Sequence, residues 1–244
     1  MYIEKLVIER IRCFEHAAVE FCYPGSTVPD TKWPNVNVLL GNNGAGKTTL
    51  LRAAVLAILA PGLESSSGYV PYRMVRQAEN IDSSDKSSVT ATYALQVWQD
   101  SMPTETPLDK KLLAYDQHVT AELERYASGA EVLRASGQIG FLRKLLFDQQ
   151  SAIFIAAYGA GRRVESSASV DAALRSKSRN YRYQRVASLF EEHYSLMPLA
   201  AWLPAVRKEN PGRHKQVVSL INRVLPPECK LLTMPRDSGG EGEE

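Results

Sequence analysis

The sequence has no apolar run long enough to cross a membrane, and it has few cysteines. The longest apolar run, residues 53–60, is far shorter than the roughly 20 residues of a transmembrane helix. The N-terminus reads as a charged strand rather than a signal sequence. The three cysteines, Cys13, Cys22 and Cys229, are odd in number and lack metal-ligand spacing, which indicates reduced structural thiols. We therefore expect a cytoplasmic protein that does not contact a membrane.

The sequence also lacks a strong excess of either charge. It has 29 basic and 27 acidic residues, so the overall charge does not indicate nucleic-acid binding, and any such site must be local. The chain has 244 residues, of which 44% are apolar, and this is enough to form the core of one large or two small domains. Disorder throughout the chain is excluded.

A glycine-rich motif is the most informative feature that is present. Residues 41–48, GNNGAGKT, fit the phosphate-binding loop (P-loop) pattern G-x-x-x-x-G-K-[ST]. The apolar run at 36–40 predicts a strand before the loop, and the apolar period of 49–60 predicts a helix after it. Glycines let backbone N–H groups turn toward a phosphate, and the positive end of the helix points at the same anion.

Each side chain of the motif has a role in this chemistry. Lys47 would neutralise the outer phosphates and is the predicted catalytic residue, whereas the Thr48 hydroxyl would be a ligand of Mg²⁺. ATP and Mg²⁺ are the expected cofactors. The predicted nucleotide-binding residues of the loop are Gly41, Asn42, Asn43, Gly44, Ala45, Gly46, Lys47, Thr48 and Thr49.

The rest of the sequence predicts alternating strands and helices. Residues 2–11 and 17–21 predict two strands before the loop, and 88–97 predicts a half-buried strand after it. The later predicted elements are a helical stretch at 108–147, a short buried strand at 151–158, helices over 185–225 interrupted at Pro198, Pro204 and Pro211, and a last strand at 228–234.

Two strands, a P-loop near residue 40 and the phrase Ile11-Arg12-Cys13-Phe14 resemble the head domain of the RecF, SMC and OLD group of ABC-type ATPases. Later phrases, FIAAYGAGRR at 154–163 and the segment at 181–206, are similar to bacterial AAA-type ATPases linked to phage defence. The resemblance implies an α/β fold: a P-loop NTPase head of ABC-ATPase type, with an N-terminal antiparallel β portion, a mixed central sheet and a helical insertion.

The same resemblance implies four segments. They are an N-terminal β portion with the P-loop core at 1–103, a helical insertion serving as arm or lid at 104–150, a core strand plus helical lobe at 151–235, and a disordered acidic tail at 236–244.

The resemblance also gives roles to residues outside the loop. Arg12 would approach the nucleotide phosphates from the first strand; its alternative is a solvated arginine at a strand end. Relatives place a glutamine that senses magnesium and the γ-phosphate after the strand that matches 151–158. This sequence has none there, and Arg162 is the predicted phosphate sensor in its place, with surface charge as the alternative.

Relatives further need an LSGGQ-like signature, an apolar strand ending in Asp-Glu and a late histidine, and none of these is found here. We therefore expect the N-terminal part of a longer ATPase, or one half of a split one. Such a chain would bind ATP, hydrolyse little of it alone, and form a homodimer or higher oligomer through ATP held between two heads. The alternatives are a nucleotide-gated interaction subunit without catalysis and a small P-loop kinase.

A basic stretch at 162–185 is the predicted nucleic-acid interface, for DNA or RNA. Its predicted contacts are Arg175, Lys177, Arg179, Arg182 and Arg185, with Tyr181 and Tyr183 placed to stack on bases. The alternative is a solvated helix start beside a loop. By family analogy, a nuclease effector is a further expected partner, with DNA repair or phage defence as the setting.

Overall fold

The computed structural model describes most of the chain and divides it into two compact units. The described residues are 1–26, 33–64, 69–77, 85–94, 117–137, 139–147, 154–161, 164, 181–192, 194–196, 198–226 and 228–229. The first unit contains Met1–Arg163 and Ala173–Tyr194, and the second contains Val164–Ala172 and Ser195–Glu244. In the described part of the chain no helix has the length and apolarity that a membrane crossing requires.

A five-stranded antiparallel sheet forms the frame of the first unit. Its strands are β1 (Tyr2–Ile11), β2 (Phe14–Glu20), β3 (Asp85–Ala94), β4 (His118–Arg125) and β5 (Glu131–Gly137). Their order in the sheet is β2-β1-β3-β4-β5. The strands predicted at 2–11, 17–21 and 88–97 are thus confirmed where they are described. Every pairing between these strands is antiparallel, which differs from the mixed central sheet that we predicted.

The uneven apolar spacing of β1 has a structural cause. Leu6, Ile8 and Ile11 are all fully buried, although Ile8 and Ile11 are three residues apart and strict alternation would place them on opposite faces. Arg10 lies between them with a φ of 54°, a left-handed conformation at which the strict alternation of faces is interrupted. Earlier in the strand, the pairing of β1 with β3 shifts register between Ile3 and Lys5.

The helix after the P-loop covers one face of this sheet. Helix α1 (Lys47–Leu63) contacts β1, β3, β4 and β5, and nearly all of its residues from Ala53 onward are buried. The sheet contributes the facing apolar side chains Leu6, Ile8, Val89, Ala91, Tyr93, Val119, Ala121 and Leu123. Pro61 lies inside α1, so the helix extends beyond residue 60, where we predicted its end.

Three more helices lie in the described part of the first unit, and two lie in the described part of the second. Helix α2 (Ile139–Phe147) packs on α1, and the short helices α3 (Tyr181–Gln184) and α4 (Ala187–Phe190) follow. In the second unit, α5 (Leu199–Glu209) packs on α6 (Pro211–Val224). The Asn210 side chain accepts a hydrogen bond from the Arg213 N–H, and Pro211 follows it as the first helical residue.

The helical insertion predicted for 104–150 is wrong for residues 118–137, which form β4 and β5. Leu123 and Tyr126 are three apart and suggested a helical face. In the structure the chain turns after β4, and Tyr126 belongs to the hairpin, where its N–H donates to Ala130. The period of two in Val119, Ala121 and Leu123 was the correct signal. Within this range, the helical prediction agrees with α2. The division into four segments stays a prediction, and the tail at 236–244 lies outside the described residues.

Two predicted strands are extended but join no strand ladder in the described structure. At 36–40 the side chains of Val36, Val38 and Leu40 are exposed, and at 154–158 those of Phe154 and Tyr158 are. The prediction of a buried central strand at 151–158 is therefore wrong for its described part. Prolines 198 and 211 flank helices as predicted, whereas Pro204 lies inside α5. Most of the strand predicted at 228–234 lies outside the described residues.

Candidate functional site: the phosphate-binding loop

The P-loop joins the extended segment at 36–40 to α1 and takes left-handed backbone angles at two glycines. Gly44 has a φ of 85° and Gly46 a φ of 90°, values that residues with a Cβ rarely adopt. Between them the Ala45 N–H donates to the Asn42 carbonyl oxygen at 3.2 Å, which closes the loop as a turn. The glycine positions of the motif therefore match the backbone that the loop needs.

Gly46 is also constrained by its neighbours. A Cβ at this position would lie 2.6 Å from Cζ of Phe14 and 2.7 Å from Sγ of Cys13. Cys13 lies in the turn between β1 and β2, and Phe14 is the first residue of β2. The turn therefore packs directly against the loop, and it places the neighbouring Arg12 beside the P-loop region.

The N-terminus of α1 presents backbone donors to the loop. The first helical hydrogen bond runs from the Leu50 N–H to the Gly46 carbonyl oxygen at 2.8 Å, so the N–H groups of residues 47–49 have no partner within the helix. Gly46 provides no side-chain cap, and the first turn of α1 contains no acidic residue. A free and uncompensated positive helix end is suited to a phosphate.

The Lys47 side chain is held over the loop by two backbone carbonyl groups of the loop. Its Nζ donates to the carbonyl oxygens of Gly41 at 2.6 Å and of Asn42 at 2.7 Å. An ammonium group has three N–H donors, so one remains to bind a phosphate oxygen without breaking either bond. The lysine is thus oriented at the place where the motif predicts phosphate contact.

The two threonines of the motif differ in exposure. Thr48 is exposed, whereas Thr49 is buried with 6% of its surface accessible. The Thr48 hydroxyl is therefore the more accessible of the two, and its role as a ligand of Mg²⁺ stays a prediction. Among the described residues no group of three or more His, Cys, Asp or Glu side chains could hold a metal ion. A hydroxyl oxygen is a ligand that suits a magnesium ion bound to nucleotide phosphates.

The segment before the loop is attached to β2 by a side chain. The Asn37 amide accepts a hydrogen bond from the Cys22 N–H and donates one to the Cys22 carbonyl oxygen, both at 2.8 Å. These two hydrogen bonds hold the segment at 36–40 in place, although it forms no backbone ladder with a strand in the described structure. Asn37 was not among the predicted site residues, because its role depends on a residue 15 positions away.

Arg12 lies in a cluster of arginines beside the β1–β2 turn. Its Nε donates to the Arg73 carbonyl oxygen at 2.9 Å, and Arg76 Nη1 donates to the carbonyl oxygens of Arg12 and Cys13. Burial lowers the pKa of Arg52, on the second turn of α1, and the positive charge of Arg12 lowers this pKa further. Positive charge therefore accumulates here. The predicted contact of Arg12 with nucleotide phosphates stays a prediction.

One functional position that the sequence did not reveal is Glu131, at the start of β5. Its side chain is 8% exposed, and its two carboxylate oxygens accept hydrogen bonds from the N–H groups of Met74 and Val75, at 2.8 and 3.1 Å. Glu131 thus fixes the segment that carries Arg73 and Arg76. An acidic residue just after a glycine turn and just before the apolar pair Val132 and Leu133 was the available signal.

The predicted nucleic-acid stretch is described only in part. Arg162, Arg175, Lys177 and Arg179 lie outside the described residues. Arg182 is in α3, and the Arg185 guanidinium lies 5.0 Å from the centre of the Phe154 ring. The prediction that Tyr183 stacks on a base is wrong, because this ring is 1% exposed and its hydroxyl donates to Glu191 at 2.6 Å.

Comparisons with known proteins support the prediction of a nucleotide-binding domain in the N-terminal part. Residues 5–101, less than half of the chain, match the family described as an AAA domain. This range contains Arg12 and the complete P-loop. The match agrees with the P-loop fold class predicted for the N-terminal part. No curated protein matches the chain.

Two solved structures show a low overall similarity. One comes from a study of the ATP-driven dimerisation and DNA-stimulated activation of SMC ATPases; it is 12% identical with a TM-score of 0.35, over 78% of this chain and 100% of that one. The other is an SMC head bound to the C-winged helix domain of ScpA; it is 13% identical with a TM-score of 0.36, over 91% of this chain and 57% of that one.

Proposed function

We propose that the chain is an ATP-binding head of ABC type that holds MgATP at residues 41–48. The observation that carries this proposal is the position of Lys47 at the free N-terminus of α1. Its ammonium is fixed by the Gly41 and Asn42 carbonyls, and it keeps one donor for a phosphate. The match of residues 5–101 to an AAA domain supports ATP as the nucleotide.

In this proposal the chain's own groups neutralise and orient the triphosphate. The N–H groups of the loop and of residues 47–49 donate to phosphate oxygens, and Lys47 adds a positive charge at the outer phosphates. Bound Mg²⁺ supplies further neutralisation of the phosphate charge. Thr48 holds the ion through its exposed hydroxyl, and Arg12 reaches the same region from the β1–β2 turn.

Two variants of Thr48 test the metal part of the proposal. Thr48→Val removes the hydroxyl at nearly constant volume, whereas Thr48→Ser keeps it. The affinity for ATP should rise on addition of Mg²⁺ in the wild type and in Thr48→Ser, and this gain should shrink about tenfold in Thr48→Val. Calorimetric titrations with and without Mg²⁺ measure the difference. An equal magnesium effect in all three proteins would remove Thr48 from the metal site.

The proposal extends to a nucleotide-dependent dimer that controls action on a nucleic acid or a nuclease effector, in phage defence or DNA repair. The resemblance of Arg12, the β1–β2 turn and the P-loop to ABC-type heads supports it, because such heads hold ATP between two subunits. ATP that binds the dimer better than the monomer shifts the equilibrium toward the dimer.

Sedimentation velocity tests the dimer. With MgATP the wild-type chain should move from monomer to dimer, while Lys47→Ala should stay monomeric at the same concentration. Dimerisation with MgATP should also tighten binding to single-stranded DNA or RNA, measured by fluorescence anisotropy at fixed salt. A sedimentation coefficient that does not respond to nucleotide, under conditions in which calorimetry shows ATP bound, would overturn the dimer and leave ATP binding intact.

A further inference from the structure

A cavity of about 640 Å³ opens in the first unit, beside the β1–β2 turn but apart from the P-loop. Its wall includes the arginines Arg12, Arg73, Arg76 and Arg125, and no residue of the loop at 41–48. The volume falls within the roughly 300–1,000 Å³ that is usual for small-molecule sites. We name it the arginine cavity.

Within the described part of the chain, no ion pair balances the positive charge of the arginine cavity. Among the ion pairs between described residues, none includes Arg12, Arg73, Arg76 or Arg125. The acidic residue at the cavity wall is Glu131, and both of its oxygens already accept hydrogen bonds from backbone N–H groups. Among the described residues, four arginines and one carboxylate therefore line the cavity, and that carboxylate already accepts two hydrogen bonds.

Each guanidinium is fixed in place and keeps donors for a ligand. Arg12 uses Nε for the Arg73 carbonyl, and Arg76 uses Nη1 for the turn carbonyls, which leaves other N–H donors on both groups. The Arg73 guanidinium lies 5.1 Å from the centre of the Tyr72 ring. With its amide oxygen turned toward Arg125, Gln77 accepts hydrogen bonds from that guanidinium. The donors are thus arranged before any ligand binds.

The backbone is strained at the same place. Arg12 has a φ of 48° and Arg73 a φ of 50°, and the two residues are joined by the bond from Arg12 Nε to the Arg73 carbonyl. Non-glycine residues in this region carry a cost, and such residues concentrate at functional sites. Here the strain turns two arginines toward one cavity.

We propose that the arginine cavity binds a small molecule with two or more phosphate groups, of about mononucleotide size, as a second ligand besides the P-loop nucleotide. A guanidinium group binds phosphate oxygens through pairs of N–H donors, so those of Arg73, Arg76 and Arg125, which the P-loop nucleotide does not use, suit an anion with several phosphates. Tyr72 is 68% exposed and offers a ring surface to a sugar or base. The proposal goes beyond ATP binding and does not depend on it.

Calorimetric titration with inorganic tripolyphosphate tests the site, in a Lys47→Ala background that weakens the P-loop. Binding should persist in Lys47→Ala and fall about tenfold or more when Arg73→Gln and Arg125→Gln are added. Between described residues, neither guanidinium donates a hydrogen bond to the backbone, so the fold should survive. The matched control adds Arg207→Gln and Arg213→Gln, which remove the same charge from exposed positions on α5 and α6 and should leave binding unchanged.

Several results would overturn the proposal. One is loss of tripolyphosphate binding in Lys47→Ala alone, which would assign the anion to the P-loop. Another is an equal loss in the control, which would show general charge attraction. A single-stranded DNA oligonucleotide forms the third arm. If it binds through Arg73 and Arg125 while tripolyphosphate does not, the cavity contacts a nucleic acid instead. Failure of ATP to bind the wild type would contradict the proposed function but not this site.

Discussion

The ring of Phe14 occupies the space in which a side chain at Gly46 would lie. A Cβ on Gly46 would be only 2.6 Å from Phe14 Cζ, well inside normal contact distance. The residues at the β1–β2 connection therefore pack directly against Gly46, the last glycine of the P-loop. Because β1 is a central strand of the sheet, the position of the loop depends on the sheet as well as on α1.

Gly46→Ala should destabilise the protein more than an alanine at another left-handed glycine. An alanine with positive φ costs roughly 1–2 kcal/mol, and at residue 46 the displacement of Phe14 and Cys13 adds about 1–3 kcal/mol. Gly129→Ala is the matched control, since Gly129 has a φ of 83° and no atom within 4 Å of its Cβ position. Urea unfolding measures both. Equal losses in the two variants would show that Phe14 does not constrain the loop.

Glu131→Ala should lower the free energy of unfolding by about 2–4 kcal/mol, because it leaves two buried N–H groups without an acceptor. Glu131→Gln keeps one acceptor oxygen and should cost less. Glu124→Ala, on neighbouring β4, is the control and should cost about 0.5 kcal/mol or less. Urea unfolding again gives the values. If Glu131→Ala matched the control, the carboxylate would not fix the segment around Met74.

Tyr93 should make stability depend on alkaline pH. Burial raises the pKa of Tyr93 from 10.0 to about 12. The unfolded chain then loses this proton at lower pH than the folded one, so the contribution is complete below pH 10 and is lost as the pH rises toward about 12. The urea midpoint should fall over this interval, and Tyr93→Phe should fall less steeply. Identical slopes in both proteins would contradict the role of Tyr93.

Local sequence patterns predicted the elements around the P-loop well. β1, β2, β3 and α1 each follow from a period or a motif that lies within the element. The hairpin of β4 and β5 was missed because Leu123 and Tyr126 are three residues apart, as on one face of a helix, although Tyr126 lies beyond the end of β4. The segment at 36–40 was predicted as a strand from its apolar residues. Apolar content does not show whether a segment pairs with a neighbouring strand. Here the hydrogen bonds of the Asn37 side-chain amide hold the segment instead.

The candidate site, too, could be predicted from the sequence only in part. Residues 41–48 are contiguous, so the motif alone located Lys47 and favoured Thr48 over Thr49. The arginine cavity could not be found from the sequence, because its contacts join residues such as Arg12 and Arg73, which are 61 positions apart. The irregularity of β1 was visible in the spacing of Ile8 and Ile11. Its cause, the left-handed Arg10, required the structure.

Titration calorimetry with MgATP, comparing the wild type with Lys47→Ala, tests the central claim most directly. Lys208→Ala, an exposed lysine on α5, is the charge-matched control. We predict binding in the wild type and in Lys208→Ala, and an affinity at least about tenfold lower in Lys47→Ala with an unchanged unfolding midpoint. Equal heats of binding in all three proteins, or no heat in the wild type, would contradict ATP binding at the P-loop.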